Sequence, residues 1–511
     1  MIMKLLQEVS YVKLVLFALA PLIFAGLILF PEVLDPDKPV IAYMAGIALL
    51  MAIWWMTEIV PLAVTALLPV ALFPLLGIMS GKTVASTYFN HIIFLFIGGF
   101  LMALAMEKWH LHRRIALRLL LLIGLSPSRL LLGFMLTSAF LSMWVSNTAT
   151  TMMMVPILLS IIAKMEEMNR SSALKKMEKG LLLSIAYAAS IGGVATLIGT
   201  PPNLSFVRIF KIYFPDAPDI SFAQWLLFAL PLSLILLAVT YIYLYLLFFK
   251  KSQVNFTDGQ TVIEQEYKQL GPMQYEEKWV LGLFITLALL WLFRRPIDLG
   301  YFTIPGWSQI FRHQKWITDG NVAILIGVLL FLIPAKNQTK SYFLMDWRTA
   351  ERIPWGIILL FGGGFALASG FKDSGLSAFI GQHLSGLQSW HPILILLIII
   401  TTITFLTELT SNTATVETFL PILAAMAVAT QVNPLFLMIP ATIAGSFAFM
   451  LPVATPPNAI VFGSKKLKIA DMMQTGFWLN IMAILILTLV AYLYMNWVFG
   501  INLQTMPNWA Q

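Results

Sequence analysis

The stretch SNTAT occupies residues 146–150, within WVSNTATTMMMVPIL, and returns at 411–415, within LTSNTATVETFLPIL. Both copies interrupt long apolar runs. In hydrocarbon an unpaired amide or hydroxyl costs on the order of several kcal/mol. Irregular polar backbone therefore survives at membrane depth only when it is buried in protein or lines a cavity. The repetition asks for a structural reason, and the flanking sequence supplies one.

The flanks are strongly apolar. Of 511 residues, 59% are hydrophobic and 11% charged, and the mean hydropathy is +0.85. Soluble domains carry roughly 25% charged residues. Apolar runs of roughly 17–25 residues recur from end to end, the pattern of a polytopic helical membrane protein and not of the short alternating strands of a β-barrel. No small-residue cleavage site follows the apolar run at 11–30, so a cleavable signal peptide is not expected. The absence of cysteine excludes disulfides and Cys-based metal sites. The six His have no ligand spacing; His110 and His112, beside Arg113 and Arg114, read as ordinary residues of a basic loop. No Walker A sequence is present, which argues against an ATP-driven pump.

The apolar runs place spans near 13–30, 40–57, 60–78, 92–107, 181–212, 224–249, 279–293, 321–335, 354–371, 435–463 and 473–498. Two further segments, 130–163 and 391–430, bend at SNTAT and read as re-entrant hairpins whose arms enter and leave on one side. With the N-terminus inside, 23 of the 32 basic residues fall on the inner side. They are Lys4 and Lys13; Lys108, Arg113, Arg114, Arg118 and Arg129; Lys164, Arg170, Lys175, Lys176 and Lys179; Lys250, Lys251, Lys268 and Lys278; Lys336, Lys340, Arg348 and Arg352; and Lys465, Lys466 and Lys468. The positive-inside rule then predicts the N-terminus in and the C-terminus out.

Aligned at an offset of 265 residues, Gly98-Gly99-Phe100 falls on Gly363-Gly364-Phe365, Ser142 on Thr407, SNTAT on SNTAT, and Pro156-Ile157-Leu158 on Pro421-Ile422-Leu423. At an offset of 255, Thr200-Pro201-Pro202-Asn203 falls on Thr455-Pro456-Pro457-Asn458. Each half thus carries GGF, SNTAT, PIL and TPPN in order. The predicted topology opens 130–163 from the inside and 391–430 from the outside, so the halves form an inverted-topology repeat, a design typical of secondary transporters. The stretch 250–278 is a linker candidate, and 294–318 is a long outer loop whose Trp307 and Trp316 suit the membrane interface.

The motifs have distinct chemistry. Ser and Asn are good N-caps, and a capped helix start presents free N–H groups and a positive dipole end to an anion. Two such neutral donor sets fit a ligand with two anionic ends. Paired prolines remove two N–H donors and clash with the preceding turn, so helices should break at Pro201-Pro202 and Pro456-Pro457. The freed carbonyls of Gly199, Thr200, Ala454 and Thr455, with the Asn147 or Asn412 oxygen, could form an oxygen cage for a hard monovalent cation; calcium would call for carboxylates. A lone SNT is more often a helix–helix hydrogen-bonding patch, and a lone Pro-Pro a kink. Paired and ordered recurrence reverses those odds. GGF reads as close helix packing, and Met152–Met154 as arm packing. Glu408 and Glu417 lie inside a membrane segment, where a coupling role is the default, but their first-half counterparts are Met143 and Met152. Glu58, at a span boundary, reads as interfacial.

On these motifs, the SNTAT pair and TPPNAIVFGS at 455–464 above all, the chain resembles the divalent anion/sodium symporter family, the INDY-like di- and tricarboxylate carriers, over nearly its whole length. The resemblance implies an all-α polytopic protein of about 11 transmembrane helices plus two re-entrant hairpins. It implies a homodimer in which a transport domain slides like an elevator against a scaffold. Residues 1–129 and 279–390 would be mainly scaffold, 130–249 and 391–511 transport domain, and 250–278 a cytoplasmic linker. By the same resemblance Ser146, Asn147, Thr148, Ser411, Asn412 and Thr413 would bind substrate carboxylates, helped by Thr200, Pro201, Thr455 and Pro456. One sodium ion would sit with Ser142, Asn147 and Gly199, the other with Thr407, Asn412 and Ala454. Two intact SNT copies favour a C4 dicarboxylate (succinate, malate or fumarate) carried by sodium symport across the cell membrane. A sodium-independent exchanger and a citrate or sulfate carrier are the alternatives within the family. An enzyme would need a core His, Cys or acid pair, and none is apparent.

Overall fold

The computed structural model describes residues 11–124, 126–168, 172–250, 259–298, 302–337, 341–501 and 506–510. Of the residues assigned to the inner side, Lys4, Arg170, Lys251 and Lys340 lie outside the described residues, as does 251–258 of the linker candidate. Helices α1 (Tyr11–Leu29) and α2 (Pro39–Thr57) run antiparallel, with Phe17 stacked on Trp54 and Gly46 against Phe24. The stretch read as one span at 60–78 is instead two short helices, α3 (Leu62–Thr65) and α4 (Leu68–Leu75), followed by α5 (Gly81–Tyr88). Pro61, Pro69 and Pro74 fall in it, and no unbroken hydrogen-bond ladder passes through them.

Helix α6 (His91–Lys108) carries the first GGF. The region read as a basic loop is helix α7 (Leu111–Ile123). It is followed by α8 (Pro127–Ser142), α9 (Asn147–Met168), α10 (Ser172–Gly193), α11 (Pro201–Tyr213) and α12 (Phe222–Leu244). The linker candidate contains helix α13 (Gly259–Gln269), which folds back on α7 through an Arg113–Glu266 ion pair. Arg114 grips Glu277 at the start of α14 (Tyr275–Leu292) with two bonds of 3.0 Å. The outer stretch 294–318 holds a two-stranded antiparallel ribbon, Ile297–Asp298 against Thr303–Ile304. Trp307 there is tied by its indole N–H to the Leu290 carbonyl at 2.7 Å.

The second half runs through α15 (Asp319–Leu332), α16 (Trp347–Ala350), α17 (Trp355–Asp373), α18 (Leu376–Leu384), α19 (Pro392–Leu406), α20 (Asn412–Thr430), α21 (Pro434–Ala444), α22 (Pro456–Gly463) and α23 (Ile469–Phe499). Seven of the described helical segments are long and apolar enough to cross a membrane, and five shorter apolar helices accompany them. The chain is thus an integral membrane protein.

The GGF glycines make the close approaches that packing alone asks of them. A β-carbon on Gly98 would stand 2.5 Å from the backbone of Ala323 in α15, and one on Gly363 2.6 Å from Ala66. One apolar core joins most helices. A smaller one, around Met44, Met51, Trp55, Phe73, Tyr88 and Leu367, holds α2 to α5 against α17.

Candidate functional site

Both SNTAT copies sit at the turn between two helix arms. The first turn joins α8 to α9 and the second joins α19 to α20. In each, Ser is the N-cap and Asn the first helical residue. Ser146 Oγ accepts from the amide of Ala149 at 3.2 Å, while Thr150 N–H reaches the Ser146 carbonyl at 3.0 Å. Ser411 makes the matching backbone bond, from Thr415 N–H at 2.9 Å, but its hydroxyl caps nothing. Each Asn is held from behind. Ser142 Oγ donates to Asn147 Oδ1, and Thr407 Oγ1 lies 2.7 Å from Asn412 Oδ1 and 2.9 Å from the Gly445 carbonyl. Ser142 and Thr407 are fully buried. The residue pairs matched by sequence offset therefore make matched contacts.

The TPPN segments refine the expectation of a break. The prolines do not end a helix; they begin one. Pro201-Pro202 open α11 and Pro456-Pro457 open α22, the positions where a missing N–H is harmless. Thr200 and Thr455 precede them in extended conformation, at φ −141° and −142°, because a residue before proline is pushed out of the helical region. The non-helical stretches lie upstream, at 194–200 and 445–455.

Their carbonyls are organised by a residue that the sequence motif contained but its reading passed over. Asn203 Nδ2 donates to the Thr196 carbonyl at 2.7 Å, and Asn458 Nδ2 to the Leu451 carbonyl at 2.9 Å, each seven residues upstream. Both Asn side chains are fully buried. Gly193 and Gly199 bring this backbone close to the first turn. A β-carbon on Gly193 would stand 2.5 Å from Asn147 Oδ1, and one on Gly199 3.0 Å from the Ser142 carbonyl. Oxygens of Ser142 and Gly193 thus stand around Gly199, with Asn147 Oδ1 against Gly193, a neutral oxygen set suited to a hard monovalent cation and lacking the carboxylates that a calcium site needs.

The two turns and two breaks converge on one cavity of about 590 Å³. Its walls include Ser146, Asn147, Thr148, Ser411, Asn412, Thr413, Thr200, Pro201, Thr455 and Pro456, together with Gly199 and Ala454. All ten residues expected at the substrate and four of the six expected at sodium line it. Ser142 and Thr407 stand behind, against the Asn oxygens. Sequence reasoning missed the remaining wall: Phe100 of the first GGF, Leu62, Ile198, Ile357, Leu360 and Val453. Apolar residues distant in sequence carry no signal of a shared wall. Glu58 was also placed elsewhere. It is exposed, adopts a left-handed φ of 53° at the end of α2, and is the one ionisable side chain among the described residues lining the cavity. No Lys, Arg or His lines it among the described residues.

The two membrane-embedded acids have different surroundings. Glu408 accepts from the amides of Phe449 (2.7 Å), Met450 (2.9 Å) and Leu451 (3.0 Å) and from Asn480 Nδ2 of α23 (2.7 Å). It pins the second break to the last helix, which makes it a positioning group. The asymmetry with Met143 has its reason here: the second break is longer and needs an added acceptor. Glu417 lies away from the cavity, fully buried where α20 meets α11 and α17.

Residues 8–501 match the family model described as the sodium:sulfate symporter transmembrane region. The chain is 45% identical over 495 residues to the sodium-dependent dicarboxylate transporter SdcS of Staphylococcus aureus strains NCTC 8325 / PS 47 and COL, covering 96% of this chain and 92% of each relative. The Alcanivorax borkumensis YdaH transporter shares the fold at TM-score 0.56 and 13% identity, over 81% of this chain and 88% of its own. MtrF of Neisseria gonorrhoeae does so at TM-score 0.56 and 12% identity, over 83% and 84%. A family match across nearly the entire chain, with both SNTAT turns and both TPPN helix starts around one cavity, means that the chain belongs to the sodium:sulfate symporter family, the divalent anion/sodium symporters.

Proposed function

We propose that this protein is a sodium-coupled carrier of C4 dicarboxylates such as succinate, malate and fumarate. The observation that carries the reading is a cavity faced by two helix N-termini and two neutral donor sets, with no basic residue on its walls among those described. A dianion there is balanced by helix ends and by bound cations, not by arginine. Substrate affinity then depends on sodium. The substrate carboxylates meet Ser146, Asn147 and Thr148 at one end and Ser411, Asn412 and Thr413 at the other. Thr200, Pro201, Thr455 and Pro456 supply the second pair of helix starts. One sodium ion takes oxygens of Ser142, Asn147 and Gly199, and the other those of Thr407, Asn412 and Ala454. Each Asn serves substrate and cation together, so occupancy of one favours the other. The name of the SdcS relative agrees with this substrate class and ion.

The same reading assigns 130–249 and 391–511 to a moving transport domain and 1–129 and 279–390 to a scaffold, joined by the 250–278 linker. The halves are inverted repeats, the assembly is a homodimer in the plasma membrane, and the N-terminus lies in the cytoplasm with the C-terminus outside. On that orientation Glu58, Leu62 and Ile357, which line the cavity, fall on its cytoplasmic half.

The test is labelled succinate uptake into proteoliposomes with sodium or choline outside. Uptake that requires sodium supports symport. Equal uptake in choline makes sodium-independent exchange the better reading. Strong competition by sulfate or citrate at matched concentration shifts the substrate class to that anion.

A further inference from the structure

Of the two acids singled out in the membrane segments, Glu408 is used in holding the second break, whereas Glu417 serves neither the cavity nor a break. This side chain has no exposed surface. Its Oε1 accepts a 2.7 Å hydrogen bond from Ser205 Oγ of α11, and its Oε2 has no hydrogen-bond partner among the described residues. Gly364 of α17 lies flat against the carboxyl: a β-carbon there would stand 2.5 Å from Oε2. The second GGF thus includes a glycine whose absent side chain makes room for an acid. An ionised carboxylate buried with one neutral hydrogen bond and no cation is among the costliest groups a membrane interior can hold, whereas the neutral acid presents one carbonyl oxygen, which Ser205 meets, and a single O–H.

Among the described residues, the neighbouring helices supply no counter-charge to it. Helices α19 and α21 carry no titratable residue along their length. Tyr43 is the only such group on α2. On α11, Arg208 has a buried Nε with no hydrogen-bond partner among the described residues, but it acts electrostatically on His91 and not on Glu417, and Lys211 is paired with Asp219. Tyr213, at the end of α11, is bonded to Ser377. Lys372 of α17 donates to the Ile212 carbonyl beside Asp373 at the far end of that helix, and His383 of α18 rests on Phe379. On α5, Lys82 lies at the opposite end from Tyr88. Glu417 acts electrostatically on Tyr88, whose hydroxyl is committed to the Ala66 carbonyl at 2.5 Å.

We propose that Glu417 is a proton-binding site set in the contact between the second helix–turn–helix pair and α17, filled while they are docked and emptied into water as they part. Oε1 is the carbonyl oxygen that accepts from Ser205, and Oε2 carries the proton. The proton comes from and returns to the aqueous phase, so no further reactant enters. The idea rests on the carrier reading above, in which α20 belongs to the moving body and α17 and Tyr88 to the fixed one. Docking takes up a proton. Acid therefore favours the docked conformation, and rising pH releases it.

The experiment is sodium-driven fumarate uptake by the full-length protein in proteoliposomes from about pH 6 to about pH 8.5, where both fumarate carboxyls stay ionised. Absence of fumarate uptake in the wild type at every pH defeats the carrier reading and leaves the infrared arm to judge the proton. Given uptake, the wild-type rate should change about tenfold across the window and that of Glu417→Gln, a permanent neutral mimic, less than about twofold. An identical pH profile in the two overturns the proposal. Should Glu417→Gln fail to fold, infrared difference spectra of the wild type decide. They should contain a protonated-carboxyl C=O stretch at neutral pH that shifts in Ser205→Ala, which removes the bond to Oε1. A spectrum with no protonated-carboxyl band sensitive to Ser205→Ala overturns the assignment.

Discussion

Gly193 lies against the side-chain amide of Asn147 so closely that a β-carbon would stand 2.5 Å from Oδ1 and 3.1 Å from Nδ2. Adding that one carbon should push the amide out of the gathering of oxygens at the first break. A displacement of about 1 Å at a binding group can cost on the order of 100-fold. Gly193→Ala is expected to lower sodium-dependent uptake by that order. The same clash should lower the Tm of Gly193→Ala in the wild-type background and hardly at all in an Asn147→Ala background, because the group it displaces is already gone. Additive losses in Tm would mean that Gly193 acts on something else.

Asn147→Ala and Asn412→Ala should each abolish uptake while leaving the protein monodisperse in detergent. Each removes the oxygen that Ser142 or Thr407 addresses. Sodium-dependent thermal stabilisation, read without any transport, should fall in both variants. Near-normal uptake in either takes that residue out of the site.

Glu408→Ala leaves three backbone amides and the Asn480 amide without their acceptor. Each buried unsatisfied donor costs about 1–3 kcal/mol. The expected outcome is a protein that is hard to fold, with a Tm well below wild type, and Asn480→Ala should reproduce a fraction of the loss. If Glu408 were a coupling group, Glu408→Gln would keep its Tm and lose its sodium dependence, and that result would contradict the positioning role.

Glu58 puts a negative charge on the rim of a cavity that receives a dianion. Glu58→Gln is expected to lower the KM for succinate several-fold, with the gain shrinking as salt rises and screens the charge. The salt series separates this from a packing change, which would persist in high salt.

Outside the membrane-spanning segments, Asp346 starts α16 and pairs with Lys108 at 2.6 Å. Desolvation alone would raise its pKa, but the Lys108 bond and the Thr349 amide at 2.7 Å prevail and bring it to about 2. Its pKa is depressed in the folded state. Its contribution to stability is therefore fully present above the ordinary carboxylate value of 3.8 and is lost as pH falls through about 2. Thermal melts of the wild type should drop over that window more steeply than those of Asp346→Asn, which lacks the titration. The group is partly exposed, so the difference will be modest.

The polar anchors of the site were legible in the sequence because hydrocarbon leaves so few reasons to keep Ser, Asn, Thr and Pro-Pro at depth. Twice-repeated order made the register visible, and the matched bonds Ser142–Asn147 and Thr407–Asn412 follow it. The proline pairs were read one step off. Their clash with a preceding turn predicts a break, but the same ring suits a helix start, so the chain unwinds upstream of them. Helix α7 was hidden because its basic residues leave no long apolar run, and the split of 60–78 because Pro61, Pro69 and Pro74 interrupt a stretch that is apolar throughout. The apolar wall of Phe100, Ile357 and Leu360 was invisible, since which faces meet is decided by tertiary packing.

The two ends of the cavity are similar but not equal. The Ser146 hydroxyl is used in capping its own helix, whereas that of Ser411 is not, and the second break runs four residues longer than the first. A chamber with unlike ends and an aromatic ring on one wall is chiral in the sense that matters to a ligand. It can tell the malate carboxylate next to the hydroxyl-bearing carbon from the other, and hence one enantiomer from its mirror image, although succinate offers it nothing to choose between.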